Sequence, residues 1–239
     1  YGNVVEIWAE GDMRYARTDD GEIYEAPAII VCSGGSPRRL KVPGERDFAG
    51  RGVSYCAVCD GAFFRDRVIA VVGGGDSAVE EALYLTRFAS KVYLIHRRDQ
   101  LRAQKLLQER VLSHPRIEPI WSSVVEEIGG GDSVEWIRLR NLRDDSQRTL
   151  QVGGVFVYVG FQPNNELFRD PIERDEGGFL VTDHKMETSI PGIFAAGDIR
   201  SQYVRQISTA VGDATTAAVA VTRMLEARAH VRATTAGSR

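Results

Sequence analysis

Residues 68–78 constrain the fold most strongly: Val-Ile-Ala-Val-Val leads directly into Gly73-Gly74-Gly75-Asp76-Ser77-Ala78. Five apolar residues in a row suit a strand covered on both faces, as in a parallel sheet with a layer on each side. Beyond the glycines, Ala78, Ala82 and Leu85 recur at helical spacing, with Val79, Leu83 and Thr86 beside them. Glycine permits the sharp turn from strand to helix and lets a pyrophosphate rest against the free N–H groups of the helix start. A match to Gly-x-Gly-x-x-Ala alone is weak evidence; between a strand and a helix it is informative. Gly129-x-Gly131 supplies the contrast. It also follows an apolar run, but residues 134–142 beyond it alternate as a strand, so it reads as a hairpin turn.

The end of the next strand selects the nucleotide. Residues 91–95 lead into His96-Arg97-Arg98, with Arg102 following, and from Gly73 to His96 is 96 − 73 = 23 positions. An NAD site places an acid about 20 residues on, where it grips the ribose hydroxyls. Here the position is basic. Guanidinium groups can hold a 2′-phosphate through paired, charge-assisted hydrogen bonds, whereas an acid would repel it. The bland alternative is a solvated basic helix start. Because basic residues there oppose the helix dipole, the cluster favours an anionic partner and NADP over NAD.

Cys56-Ala57-Val58-Cys59-Asp60 carries the reactive chemistry. Two thiols separated by two residues can close and reopen a small disulfide ring, and an acid after the second can give or take the proton of exchange. The same spacing suits half of a zinc site, which needs two further ligands. The chain offers only Cys32 and four histidines (His96, His114, His184, His230), none in a ligand-like pair, so redox chemistry is preferred and no metal is expected. Cys32 is expected to pack as a small buried residue.

A net charge of −3 gives no case for nucleic acid, and no apolar run approaches the ~20 residues of a membrane span. Three cysteines do not make a disulfide-stapled secreted domain, so a cytoplasmic setting is expected. Residues 4–9, 13–18 and 23–24 read as a β-meander, and 28–31 as a buried strand running into Gly34-Gly35. Residues 41–45 read as an exposed connector. Leu101, Lys105, Leu106, Leu107 and Val111 are expected on one helix, and 116–121, 124–128, 134–142 and 149–152 as strands of a small sheet. Residues 155–159 read as a strand that returns the chain to the first domain. Near the end, Ile193-Phe194-Ala195-Ala196-Gly197-Asp198 sets a carboxylate at a strand terminus. Residues 208–225 then form a helix with a small-residue face (Ala210, Ala214, Ala217, Ala218, Val221). Taken singly, these pieces are also explained by a turn Asp, a helix cap and close helix packing.

Together, Cys56-Ala-Val-Cys59-Asp60, Gly73-Gly-Gly-Asp-Ser-Ala78-Val-Glu-Glu-Ala82, His96-Arg-Arg-Asp99 and Pro191-Gly-Ile-Phe-Ala-Ala-Gly-Asp198 closely resemble the low-molecular-weight thioredoxin reductases, from about Glu6 to about Leu225. The resemblance implies an α/β protein of two Rossmann-like domains, each a three-layer ββα arrangement. An NADPH domain (47–154) would be inserted into an FAD domain (1–46 and 155–226), with 227–239 expected as a disordered tail. It implies electron flow from NADPH through FAD to the disulfide and on to thioredoxin, in a homodimer. Carried over by position, Cys59 faces the flavin, Cys56 attacks thioredoxin and Asp60 moves the proton. Gly73, Gly74, Gly75, Asp76, Ser77 and Ala78 form the NADPH turn, and His96, Arg97, Arg98 and Arg102 hold the 2′-phosphate. Gly34, Gly197, Asp198, Arg205, Gln206 and Ile207 line the flavin. The family's first strand–glycine–helix segment is absent before Val68, so the FAD domain is expected to be incomplete and FAD weakly held. Two alternatives are a related flavin reductase serving a peroxiredoxin or ferredoxin system, and a flavin-less NADP-binding module.

Overall fold

Turn residues cut the first part of the chain into short strands. β1 (Val4–Glu10), β2 (Met13–Thr18) and β3 (Ile23–Ala26) form an antiparallel sheet in that order, with Gly11 at φ +52° closing the first turn. Arg14 in β2 is buried because three carbonyls, those of Gly11, Met13 and Pro191, accept from its guanidinium. β4 (Ile29–Val31) and β5 (Gly35–Pro37) follow. The computed structural model describes residues 2–236 and divides the chain into two compact units: 37–161, and 2–36 with 162–236.

The 37–161 unit contains β6 (Val53–Ser54), α1 (Ala57–Asp60), β7 (Val68–Gly73), α2 (Asp76–Leu85), β8 (Lys91–Ile95) and α3 (Lys105–Leu112). Then come β9 (Ile117–Ile120), β10 (Ser123–Gly130), β11 (Val134–Asn141), β12 (Gln147–Gln151) and β13 (Val155–Tyr158). The order β6-β13-β7-β8-β9 makes a five-stranded parallel sheet, and β10-β11-β12 an antiparallel one. β7 shows why its sequence is apolar throughout. Ile69 and Val71 pack with Ala78, Val79, Ala82 and Leu85 on the helical side, while Ala70 and Val72 pack with Ile128, Ile137 and Leu139 on the other. Ile69, Ala70 and Val71 are wholly buried, so this unit has the expected three layers.

β14 (Phe161–Pro163) pairs with β5, and in the other unit β15 (Ile193–Ala195) runs parallel to β4. α4 (Ile207–Ala236) lays Ala214, Ala217, Val221 and Met224 against Phe194 and Ala196.

Several expectations require correction. β9 belongs to the parallel sheet, paired with β8, and not to the small sheet. β13 does not return the chain to the first unit; it inserts between β6 and β7. The division accordingly falls at Pro37 and Phe161, where 47 and 154 were expected. Residues 41–45 are not a loose connector. Glu45 is 1% exposed, its carboxylate accepting from the amides of Leu40 (2.9 Å) and Lys41 (2.7 Å) and from the Tyr55 hydroxyl (2.9 Å). Leu101 is buried but precedes α3, and Ala218 on α4 is exposed. Cys32 is an exposed free thiol just past β4. The tail expected to be disordered continues α4 to Ala236, since its alanine and arginine content suits a helix as well as a solvated coil. Residues 237–239 lie outside the described residues.

Candidate active site

The parallel sheet delivers the redox pair. β6 is held by β13, with Ser54 paired to Phe156, and the chain then turns into α1 with Cys56 as its N-cap. Cys56 and Cys59 form a disulfide with Cα atoms 5.3 Å apart. The Cys59 N–H donates to the Cys56 sulfur at 3.1 Å, and the Ala57 N–H donates to the Tyr158 hydroxyl oxygen at 2.6 Å. Cys59 is exposed and Cys56 half-buried. Asp60 ends the helix, its Oδ2 accepting from Ser54 Oγ at 2.6 Å. The Tyr158 hydroxyl is pushed well above the ordinary tyrosine range, first by burial and then by the charge of Glu81. It therefore stays protonated at neutral pH.

The glycine turn after β7 lies in the same unit. Gly73 has φ +156°, and a Cβ on it would run into the Tyr158 carbonyl, so only glycine fits. A Cβ on Gly74 would overlap the His96 ring. Gly75 is the N-cap of α2, and no side chain caps that helix start. The basic loop is tied to the turn: the Arg102 N–H donates to the Gly74 carbonyl at 2.7 Å, and the Gln104 N–H to Asp76 Oδ1 at 2.7 Å. His96 is 6% exposed, with Nε2 unpartnered, and its pKa is lowered by burial and then by Arg102, Arg98 and Arg97. It supports Gly74 as a neutral ring. Arg97, Arg98 and Arg102 are exposed, while Asp99, the acid of the loop, is engaged by Arg143 at 2.9 Å. An uncapped helix start over glycines, a buried ring nitrogen lacking a partner and three adjacent guanidinium groups fit a phosphorylated dinucleotide.

The remaining candidates lie in the other unit. β4 and β15 end at one edge, where the Ala196 N–H donates to the Val31 carbonyl at 3.0 Å. Ligands of parallel sheets bind beyond such carboxyl ends. Gly34 (φ +65°) lies past β4, and Gly197 (φ +77°) with Asp198 lies past β15. Gly197 is pinned to α4: Asp213 Oδ2 accepts from its N–H at 3.2 Å and from Arg200 Nη1 at 3.0 Å, both side chains being largely buried. Arg205 lies over the Phe179 ring at 3.9 Å, Gln206 N–H donates to Thr209 Oγ1 at 3.2 Å, and Ile207 opens α4 in an exposed position. Two left-handed glycines and a carboxylate at a strand edge fit the flavin end of FAD. Among the described residues, this unit has no strand–glycine–helix turn for the pyrophosphate.

Sequence reasoning missed Ser54, Tyr158, Arg200 and Asp213. Only Asp213 leaves a trace, an acid at helical spacing among Ala210, Ala214 and Ala217. Among the described residues, no group of three or more His, Cys, Asp or Glu could hold a metal, and no helix is long and apolar enough to cross a membrane.

The family model for pyridine nucleotide-disulphide oxidoreductases matches residues 1–214. The chain is 49% identical over 214 residues to a thioredoxin reductase of Listeria innocua, covering 89% of this chain and 67% of that protein. It is 40% identical over 233 residues to the thioredoxin reductase of Peptoclostridium acidaminophilum, covering 94% and 73%. The crystal structure of thioredoxin reductase from Streptococcus pyogenes superposes with a TM-score of 0.90 at 50% identity, over 95% of this chain and 74% of that one. The chain belongs to the pyridine nucleotide-disulphide oxidoreductases and, within them, to the thioredoxin reductase family.

Proposed function

We propose that the protein reduces the disulfide of thioredoxin with electrons from NADPH, using FAD and its own Cys56–Cys59 pair. The observation that carries this reading is the disulfide at the start of α1, built into the same sheet as the uncapped glycine turn. Gly73, Gly74 and Gly75 with the amides of Asp76, Ser77 and Ala78 receive the pyrophosphate. Arg97, Arg98 and Arg102 grip the 2′-phosphate, and His96 backs the turn. Gly34, Gly197, Asp198, Arg205, Gln206 and Ile207 serve the flavin, with Asp198 accepting from hydroxyls. FAD, when bound, supplies the two-electron relay from the nicotinamide to the disulfide.

The reduced pair divides its work. The N–H of Cys59 favours negative charge on the Cys56 sulfur, which makes Cys56 the nucleophile. Its thiolate attacks one sulfur of the substrate disulfide, forming a mixed disulfide and releasing the other substrate sulfur as a thiolate that takes up a proton. Cys59 then gives its proton to Asp60 and attacks the Cys56 sulfur. The second substrate sulfur leaves with that proton, and the Cys56–Cys59 bond is restored. A homodimer and a cytoplasmic setting accompany this reading.

Mixing the reduced Cys59→Ser variant with oxidised thioredoxin should trap a covalent complex through Cys56, visible as one added mass and released by dithiothreitol. Cys56→Ser should trap none. Trapping by Cys56→Ser alone would reverse the two roles.

A further inference from the structure

Ser54 is 4% exposed, and its place in β6 opposite Phe156 fixes it in the sheet. Three groups converge on its one hydroxyl. Asp60 Oδ2 lies at 2.6 Å, the Cys56 carbonyl oxygen at 3.3 Å, and the Cys56 N–H donates to Oγ at 3.1 Å. A serine hydroxyl has one proton, so the carboxylate and the carbonyl compete for it. With Asp60 ionised, the shorter, charge-assisted bond takes the Ser54 proton, and the Cys56 carbonyl keeps the Asp60 N–H at 3.1 Å. Once Asp60 is protonated, its O–H can donate to Ser54, and the Ser54 proton is free to turn to the Cys56 carbonyl.

We propose that Ser54 is a positioning residue that holds the Asp60 carboxylate for proton transfer and couples its charge to the peptide groups of Cys56. The inference rests on the reading of Cys56, Cys59 and Asp60 as the redox site. It adds a way for the acid to be aimed and for the nucleophile's backbone to sense its protonation. The other groups here are the Tyr158 hydroxyl from β13, which bears on Ala57, and Glu81 from α2, whose charge together with that of Asp60 bears on Tyr158.

Reduction of the oxidised chain by dithiothreitol tests this without flavin. A reagent thiolate attacks one sulfur of the Cys56–Cys59 bond to form a mixed disulfide while the other sulfur leaves with a proton from Asp60. The second reagent thiol then closes the oxidised ring, and the attacked cysteine sulfur leaves with that thiol's proton. Divided by the reagent's thiolate fraction, the rate should fall as pH rises through the ionisation of Asp60. Asp60→Asn should abolish that limb. Ser54→Ala should keep the limb and displace it toward higher pH, because losing a hydrogen bond to the anion favours the protonated form. A limb that Ser54→Ala leaves in place overturns the inference while sparing the redox reading. A limb that survives Asp60→Asn overturns the acid role of Asp60 and the inference with it. In the unaltered protein, the Cys56 amide nitrogen should titrate in NMR with the same midpoint as the Asp60 carboxyl carbon. A Cys56 amide indifferent to that midpoint overturns the proposal even if Ser54→Ala does not fold.

Discussion

Arg97, Arg98 and Arg102 stand exposed beside the glycine turn, and the nearby Asp99 is already engaged by Arg143. Such a cluster should discriminate by charge. Replacing Arg97 and Arg98 with Ala is expected to weaken NADPH far more than NADH. Each lost charge-assisted bond is worth roughly 1.5–3 kcal/mol, so together they shift preference about a hundredfold or more. Titration of both nucleotides reads the ratio, and equal weakening would mean that the arginines do not select. His96 makes a separate prediction. Its folded pKa lies below the ordinary 6.5, so between the two values the unfolded chain binds more protons. Stability should therefore decline as pH falls through about 6.5, and His96→Gln should flatten that slope in urea titrations. The histidine was legible as part of a basic motif, but its burial against Gly74 was not. A ring filling the space above a glycine is a tertiary event with no local signature.

At the scale of elements, β7 and α2 were readable because their burial is encoded in consecutive residues: five apolar positions, three glycines, then helical spacing. β13 is just as apolar, yet its insertion between β6 and β7 depends on a long return through three intervening antiparallel strands. Sequence order does not reveal that. Ser54 and Tyr158 escaped for a similar reason, since a serine and a tyrosine near strand ends are ordinary until a carboxylate and an amide arrive from α1. Glu6 illustrates how distant segments are joined. On β1 it binds Arg169 at 2.7 Å and Arg17 at 3.1 Å, which holds its carboxyl down at about 2, chiefly through the hydrogen bond from Arg169. Because the folded value is depressed, the contribution is present above about 4.5 and fades as pH falls toward 2. Glu6→Gln should remove that acid-side loss, measured as the difference between the two chains' unfolding curves across this window. Identical pH dependence would show that the contacts are screened to nothing.

Across the whole molecule, the 37–161 unit has its own parallel sheet, helical layer and antiparallel layer, and it carries both the disulfide and the glycine turn before α2. The other unit carries Gly34, Gly197 and Asp198 at one strand edge, with Arg200 and Asp213 fixing the turn to α4. The central claim is that Cys56 and Cys59 relay electrons from NADPH to a protein disulfide with unequal roles. The most direct measurement is NADPH oxidation by the chain with thioredoxin and with FAD raised to saturate its weak site, recorded alongside flavin bleaching. Cys56→Ser is expected to keep flavin reduction by NADPH and to lose thioredoxin turnover, and Cys59→Ser to lose that turnover as well. Undiminished turnover in Cys59→Ser, or one zinc ion per purified chain, would contradict the account.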